Sequence, residues 1–349
     1  MKDLSLKTTH IGSLPLEDPK KSVELVFENL DIPAWPQLSK IKKESMLLQF
    51  NEGLPGFNWD KEKIDTSSPK FEEDMLKFYE NYLQIVEENN LELLENFGLS
   101  EEVAKGFKAF LSFGEKYKPS IVKGQITGPF TLATALKIET GEIPIFRDDL
   151  RDLITKFISI KALAQGIKLK KLAPEVIIFL DEPGLAGFGS SAFITISKND
   201  VITMLNEIAT LLKKHNIIPG IHVCANTSWD IVLESEIDIL NFDSFNFYEK
   251  FVIYDNHIKN FLKKDNKYIA WGVIPTDKEQ LEKVELEEVL KKFKNQLKDF
   301  SVKIDFSEKE ILKKSLFTPA CGMGSLTVIL AEKGLNLLKA FKNHIAEEV

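Results

Sequence analysis

The sequence predicts an α/β fold, a (β/α)8 TIM barrel built as one domain from residues 1–349. Three observations predict it. Apolar runs of strand length alternate with amphipathic helical stretches, which is the pattern of parallel strands joined by helical crossovers. Eight such runs can be counted in 349 residues, enough for a barrel core of roughly 250 residues with insertions. Polar residues recur where the apolar runs stop, as they do at the carboxyl ends of barrel strands. A doubly wound open sheet is the alternative, but it usually has fewer strands, and no GxGxxG pattern follows the first run.

The elements follow in order. The first strand is expected near Thr8–Pro15, ended by Gly12 and Pro15, and a helix follows with Asp18 and Pro19 as start signals. A second strand is expected over Asp31–Leu38 and a helix over Lys40–Glu52. Residues 53–70 are polar and read as a long loop. Met75, Phe78, Tyr79, Tyr82, Leu83 and Val86 recur at helical spacing within a helical stretch 71–97, and another helix covers 101–117. The third strand, Ser120–Ile126, runs into Thr127-Gly-Pro129 and a helix from Phe130. Residues 146–173 are amphipathic. They lead to Val176–Leu180, a continuous apolar run typical of a strand buried on both faces. It ends in Asp181-Glu-Pro183, and the glycine-rich stretch 184–192 reads as a mobile lid rather than a phosphate loop, since it lacks the Lys-Ser/Thr of that motif.

A helix over 201–215 precedes the fifth strand, IIPGIHVCA, and a helix near Ser228 precedes the sixth, Ile237–Phe242, which ends in Asp243. A basic helical stretch leads to the seventh, Tyr268–Ile274. The helix 278–299 leads to the eighth, Leu316–Thr318, and a helix over 326–333 and a tail helix close the chain.

Composition narrows the function. A net charge of -8 argues against a nucleic-acid surface and fits a cytoplasmic enzyme. No stretch approaches the roughly 20 apolar residues of a membrane span, and the N-terminus lacks the apolar run of a signal peptide. Two cysteines far apart in sequence make no disulfide framework.

Those two cysteines carry the chemistry. In a strand, residues two apart point to one side, so His222 and Cys224 aim an imidazole and a sulfur at one point. A His-x-Cys pair by itself is commonly incidental, and a buried cysteine is usually a small apolar core residue. Here, however, the second cysteine, Cys321, also lies where a buried strand meets a glycine turn. His222, Cys224 and Cys321 would supply three Zn2+ ligands, with Asp243 as a fourth that leaves when substrate binds. A thiol of pKa near 8.5 is only ~3% ionised at neutral pH, and zinc ligation deprotonates it. Such a site suits thiol alkylation. Hydrolysis by zinc-bound water is the other chemistry of open zinc sites, where histidine or carboxylate ligand sets are commoner.

At these residues the chain resembles the catalytic barrel of cobalamin-independent methionine synthase. It is similar also to the zinc methyltransferases that move methyl groups from corrinoids to thiols, within the superfamily that includes uroporphyrinogen decarboxylase. The resemblance spans the chain: Thr9-His-Ile-Gly-Ser13, Thr127-Gly-Pro129, Asp181-Glu-Pro183, His222-x-Cys224 with Asp230 downstream, and Cys321-Gly322. It implies zinc on His222, Cys224 and Cys321, with Asp243 where the synthases have a glutamate ligand. It further implies that Ile11, Gly12 and Ser13 contact the amino acid end of homocysteine, and that Asp181 pairs with its ammonium.

The sequence also departs from that pattern. Ala135 stands near the place of a folate-stacking tryptophan and Gly187 near that of a pterin-binding glutamate, and Gly272–Thr276 lacks the proton-donating histidine. No clean match to the acceptor-binding glutamate segment is found around Trp35–Leu38, and the second, N-terminal barrel of the full-length synthases has no counterpart. A folate amine leaves poorly unless protonated, whereas a corrinoid leaves as cobalt(I) and needs no acid. The expectation is therefore a core-only methyltransferase taking a small-molecule thiol, most simply homocysteine, and a methylcorrinoid donor carried by a partner protein. Coenzyme M as the thiol, a metal-free decarboxylase-like lyase, and a non-enzymatic protein with a closed structural zinc that binds a corrinoid protein are the alternatives.

Overall fold

Residues 3–348 are described by the structure, a computed structural model. Near the N-terminus, β1 (Ser13–Leu14) and β2 (Gln37–Leu38) pair in parallel, and β3 (Phe57–Asn58) and β4 (Lys63–Ile64) make a small antiparallel hairpin inside the segment expected to be loop. The main sheet follows: β5 (Ile121–Thr127), β6 (Glu175–Asp181), β7 (Ile218–Val223), β8 (Ile239–Phe242), β9 (Tyr268–Ile274) and β10 (Ser315–Pro319). All six are parallel, and each pairs with its neighbours in sequence. Parallel neighbours require crossovers, and helices supply them, among them Asp148–Leu169, Lys198–Lys214 and Leu286–Ile304.

Two apolar clusters show the shape of the sheet. The larger packs helices on its outer face. The smaller joins Ile121, Ile177, Phe179, Ile218, Ile239, Ala270 and Leu316, one or more from every strand, with Leu4 and Ile32. Residues from six parallel strands can share one compact cluster only if the sheet curls around it.

Two extended N-terminal segments lie across the open side. Thr9 N donates to Phe317 O (3.1 Å) and Phe317 N to Lys7 O (2.9 Å), while Lys123 N donates to Pro33 O (3.0 Å) at the other edge. Ile32 N donates to Thr8 O (2.9 Å) and Gln37 N to Gly12 O (3.0 Å), joining the two segments to each other.

The expectation of eight full strands is thereby corrected to six, with the first two expected strands reduced to isolated bridges and a two-residue ladder. Pro33 and Pro36 have no N–H to give, and Pro319 coincides with a register shift at the end of β10. Other corrections are local. The helix expected over Lys40–Glu52 is a 3-10 turn, Lys42–Glu44, followed by turns. There the buried Glu44 carboxylate accepts from Leu38 N (3.1 Å) and from Lys105 N (2.8 Å) at the start of the helix Lys105–Tyr117. The expected helix 278–299 breaks at Val284 into Lys278–Lys283 and Leu286–Ile304. A short helix Glu308–Lys313, capped reciprocally by Ser307 and Glu310, was not foreseen. The two helices expected at the end are one, Val328–Glu347. The glycine-rich stretch after Asp181 folds as two 3-10 turns, Pro183–Gly187 and Ser191–Phe193.

Candidate metal centre

Parallel pairing sets the strand ends side by side. Asp181 of β6 is in register with His222 of β7, and His222 with Asn241 of β8. Cys224 lies one residue beyond β7, and Cys321 two residues beyond β10. The donor atoms of His222, Cys224 and Cys321 all lie within 4.8 Å of one another, the one such group of three among the described residues. His222 is buried and both cysteines are half-buried, so the cluster is shielded yet reachable.

The imidazole is oriented for ligation. Its Nδ1 donates to Asn241 Oδ1 at 2.5 Å, while its Nε2 is buried and has no hydrogen-bond partner. A buried polar nitrogen without a partner is uncommon and is the form in which a histidine meets a metal. The residues therefore fit zinc, with one imidazole nitrogen and two sulfurs.

The two sulfurs interact strongly. A hydrogen bond from the Cys321 thiol, with His222 alongside, holds Cys224 well below the usual thiol range against the effect of burial. The same contact, with burial, pushes Cys321 far up. Without metal, one sulfur is thus a thiolate and the other keeps its proton. Burial alone would lower the His222 pKa, but neighbouring Cys224 and Asp181 raise it above its ordinary value.

Above the cluster opens a cavity of about 350 Å³ lined by Ile11, Ser13, Gln37, Asp181 and the three metal-ligating candidates, among others. The segment Ile11–Ser13 and Asp181 are therefore brought to the same space as His222, Cys224 and Cys321. Asp181 is buried, its Oδ1 has no partner, and burial raises its pKa although His222 and Lys123 oppose the rise. Gly12 allows a close approach: a Cβ there would lie 2.5 Å from Gln37 Oε1. Gln37 is held by its Nε2, which donates to Gln49 Oε1 (2.8 Å), and Gln49 donates in turn to Val103 O (2.7 Å). Gly322 does the same for Ser13, whose Oγ would sit 2.2 Å from an added Cβ, and Met323 N donates to Ser13 O (3.0 Å). The turn carrying Cys321 is thus docked on the segment carrying Ser13.

Asp243 lies beside the cluster, near enough for His222 and Cys224 to act on its charge, but outside the three-donor group. Its carboxylate caps the helix Ser244–Phe251, accepting from Asn246 N (2.9 Å) and Asn246 Nδ2 (2.8 Å).

Several residues of the site escaped the sequence reading. Lys123 of β5 is fully buried. Its Nζ donates to Ile11 O (2.8 Å) and Gln125 Oε1 (3.1 Å) and lies 4.7 Å from the centre of the Phe179 ring. A lysine in the middle of the expected strand Ser120–Ile126 was the available signal. Glu182, next to Asp181, turns away and accepts from Phe130 N (3.0 Å), Thr131 N (2.7 Å) and Thr131 Oγ1 (2.6 Å), with burial pushing its pKa up to about 7. A larger depression of about 650 Å³ lies around Trp59, Phe71 and Phe78 and holds none of the expected site residues.

No family model matches the chain. A methionine synthase of Methanocaldococcus jannaschii is 27% identical over 242 residues, covering 66% of this chain and 68% of that protein. The chain is a homologue of methionine synthase. Two solved structures resemble this methionine synthase homologue at a coarse level. One is a B12-independent methionine synthase from Shewanella sp. W3-18-1 in complex with selenomethionine (17% identity, TM-score 0.48, 68% of this chain and 67% of that one). The other is a methyltransferase from Methanosarcina mazei (12% identity, TM-score 0.47, 98% and 94% covered).

Proposed function

We propose that the protein is a zinc-dependent S-methyltransferase that methylates the sulfur of a small aminothiol, homocysteine, in the cavity above His222, Cys224 and Cys321. The observation that carries this reading is the convergence of two sulfurs and one unpartnered imidazole nitrogen from distant strands. Homology to methionine synthase supports methyl transfer as the reaction. The architecture is read as a (β/α)8 barrel whose first two staves are irregular, in keeping with the hydrogen bonds that link the N-terminal segments to both sheet edges.

Zinc bound by the three donors would hold an incoming thiol as its thiolate, the nucleophilic form. The chain does the rest. Asp181 offers a buried, unpaired carboxylate oxygen to an ammonium group, and Gln37 lines the same cavity. Ile11 and Ser13 line the same cavity and would border the acceptor's other end. The acceptor sulfur attacks the methyl carbon, and the donor departs with the bonding electron pair. Asp243 would join the ligand set through a lone pair that its two bonds from Asn246 leave free.

The choice of acceptor follows from charge. The cavity lining carries the unpartnered carboxyl oxygen of Asp181 and no lysine or arginine. That wall suits an ammonium and offers no cationic side chain to the sulfonate of coenzyme M or the several carboxylates of a porphyrin. For the donor, Ala135, Gly187 and the segment Gly272–Thr276 stand where folate contacts and an acid would be needed, which supports a methylcorrinoid delivered by a partner protein. The test is methyl transfer from methylcobalamin and from methyltetrahydrofolate, each offered to homocysteine and to coenzyme M. Turnover of homocysteine with methylcobalamin is expected. Turnover with the folate alone would overturn the donor assignment, and metal-free protein with full activity would overturn the function.

A further inference from the structure

One buried side chain holds the His222 imidazole from behind. Asn241 lies on β8 in register with His222, fully buried, and outside the metal-ligating group. Its amide has a single possible orientation. Nδ2 donates to the carbonyl of Ala270 on β9 and to Thr318 Oγ1 on β10, each at 2.8 Å. Rotating the amide by half a turn would set its oxygen against the Ala270 carbonyl, two acceptors facing each other. Oδ1 is therefore held toward His222 Nδ1, 2.5 Å away.

An amide oxygen can only accept, so Nδ1 must carry the proton. In the neutral ring Nε2 then presents its lone pair, and it is this atom that lacks a partner. The same amide also spans strands. Through Thr318 it ties the imidazole of β7 to the strand that ends just before Cys321. We propose that Asn241 is the positioning residue of the metal centre: it selects the His222 tautomer that ligates through Nε2 and keeps that nitrogen aimed at both sulfurs. The inference rests on the zinc reading above, and no contact of Asn241 with substrate is involved.

The test compares zinc affinity, measured by competition with a chromophoric chelator, in the full chain and two variants. Asn241→Leu keeps the branched four-atom shape but removes the acceptor for Nδ1. Asn241→Asp keeps an acceptor there and loses the two donations. Removing such a partner typically weakens metal binding on the order of 10- to 100-fold. That loss is expected for Asn241→Leu, with Asn241→Asp closer to the parent protein. Equal affinity in the parent and the leucine variant overturns the inference and leaves the zinc reading standing. A parent protein that binds no zinc overturns both. Should the leucine variant not fold, the parent decides: 15N spectra of the histidine-labelled, metal-free protein, titrated to the neutral ring, are expected to show His222 protonated on Nδ1. A proton on Nε2 instead overturns the proposal.

Discussion

The two walls of the cavity are built differently. The wall that carries His222 and Cys224 is the end of β7, a regular strand whose neighbours β6 and β8 pair with it along its length. The wall that carries Ile11–Ser13 is a segment interrupted by glycine and proline, with ladder contacts reduced to a few bonds. Side chains hold it instead. Lys123 takes the Ile11 carbonyl, Asp31 accepts from Thr8 N and Thr8 Oγ1 (3.0 Å each), and the turn after Cys321 closes on Ser13. The difference teaches where each task sits. Metal ligands need positions good to a fraction of an ångström, which a hydrogen-bonded sheet supplies. A wall that receives a substrate's polar groups must present backbone atoms, and a segment released from the ladder can do so.

The largest expected effect breaks the metal wall. Cys321→Ala should reduce bound zinc from about one per chain to near zero and activity by on the order of 10³-fold or more, since two ligands hold zinc poorly. Retained secondary structure by circular dichroism would show that the loss is local, and retained zinc would refute the ligand assignment. Asp181→Asn should act on the other function. Zinc content stays, while the KM for homocysteine rises about 100-fold because a buried charge pair with the ammonium is lost. An unchanged KM would remove Asp181 from the acceptor subsite.

Lys123→Met sharpens the contrast between the walls. It deletes the clamp on Ile11 and leaves the Ile11 carbonyl and Gln125 Oε1 without their donor, so the KM should rise roughly 10-fold and stability should fall by about 1–3 kcal/mol, read by denaturant melting. A fall in zinc affinity instead would mean that the walls are not independent. The pH dependence tests the metal wall alone. Cys321 is held above the ordinary thiol range without metal and must be a thiolate when it ligates, so zinc binding expels its proton throughout the neutral range. Affinity should therefore rise about tenfold per pH unit for each proton released. A flat profile between pH 6 and 8 would contradict the thiol–thiolate pair. The smallest effect is expected from Asp243→Ala. Losing the cap of the helix Ser244–Phe251 should cost about 1 kcal/mol of stability, read by denaturant melting, with zinc affinity changed less than in Cys321→Ala. An equal loss of zinc would place Asp243 in the ligand set.

Legibility followed the period of the chain. The strands β5, β6 and β9 were readable almost to the residue, because buried parallel strands are unbroken apolar runs ended by a polar residue. The first two expected strands were misjudged in extent: both hold only isolated bridges and a two-residue ladder, and the second contains Pro33 and Pro36, which have no N–H to give. Glu44 was read as one turn of a helix, whereas its carboxylate is committed to two backbone N–H groups distant in sequence. Asp243 ends a strand beside His222, and the same position also begins a helix, from whose Asn246 its two oxygens accept; the first fact was legible in the sequence and the second was not.

By itself the sequence determined which residues could ligate. Two cysteines and one histidine at strand ends are a matter of residue type and a two-residue period. Only the tertiary structure decided that Cys321 reaches Cys224 across 97 residues of chain, that Asn241 rather than a carboxylate supports His222, and that Lys123 lies beneath the cavity. Those outcomes depend on which strands neighbour one another around a curved sheet, and a local pattern carries no information about curvature.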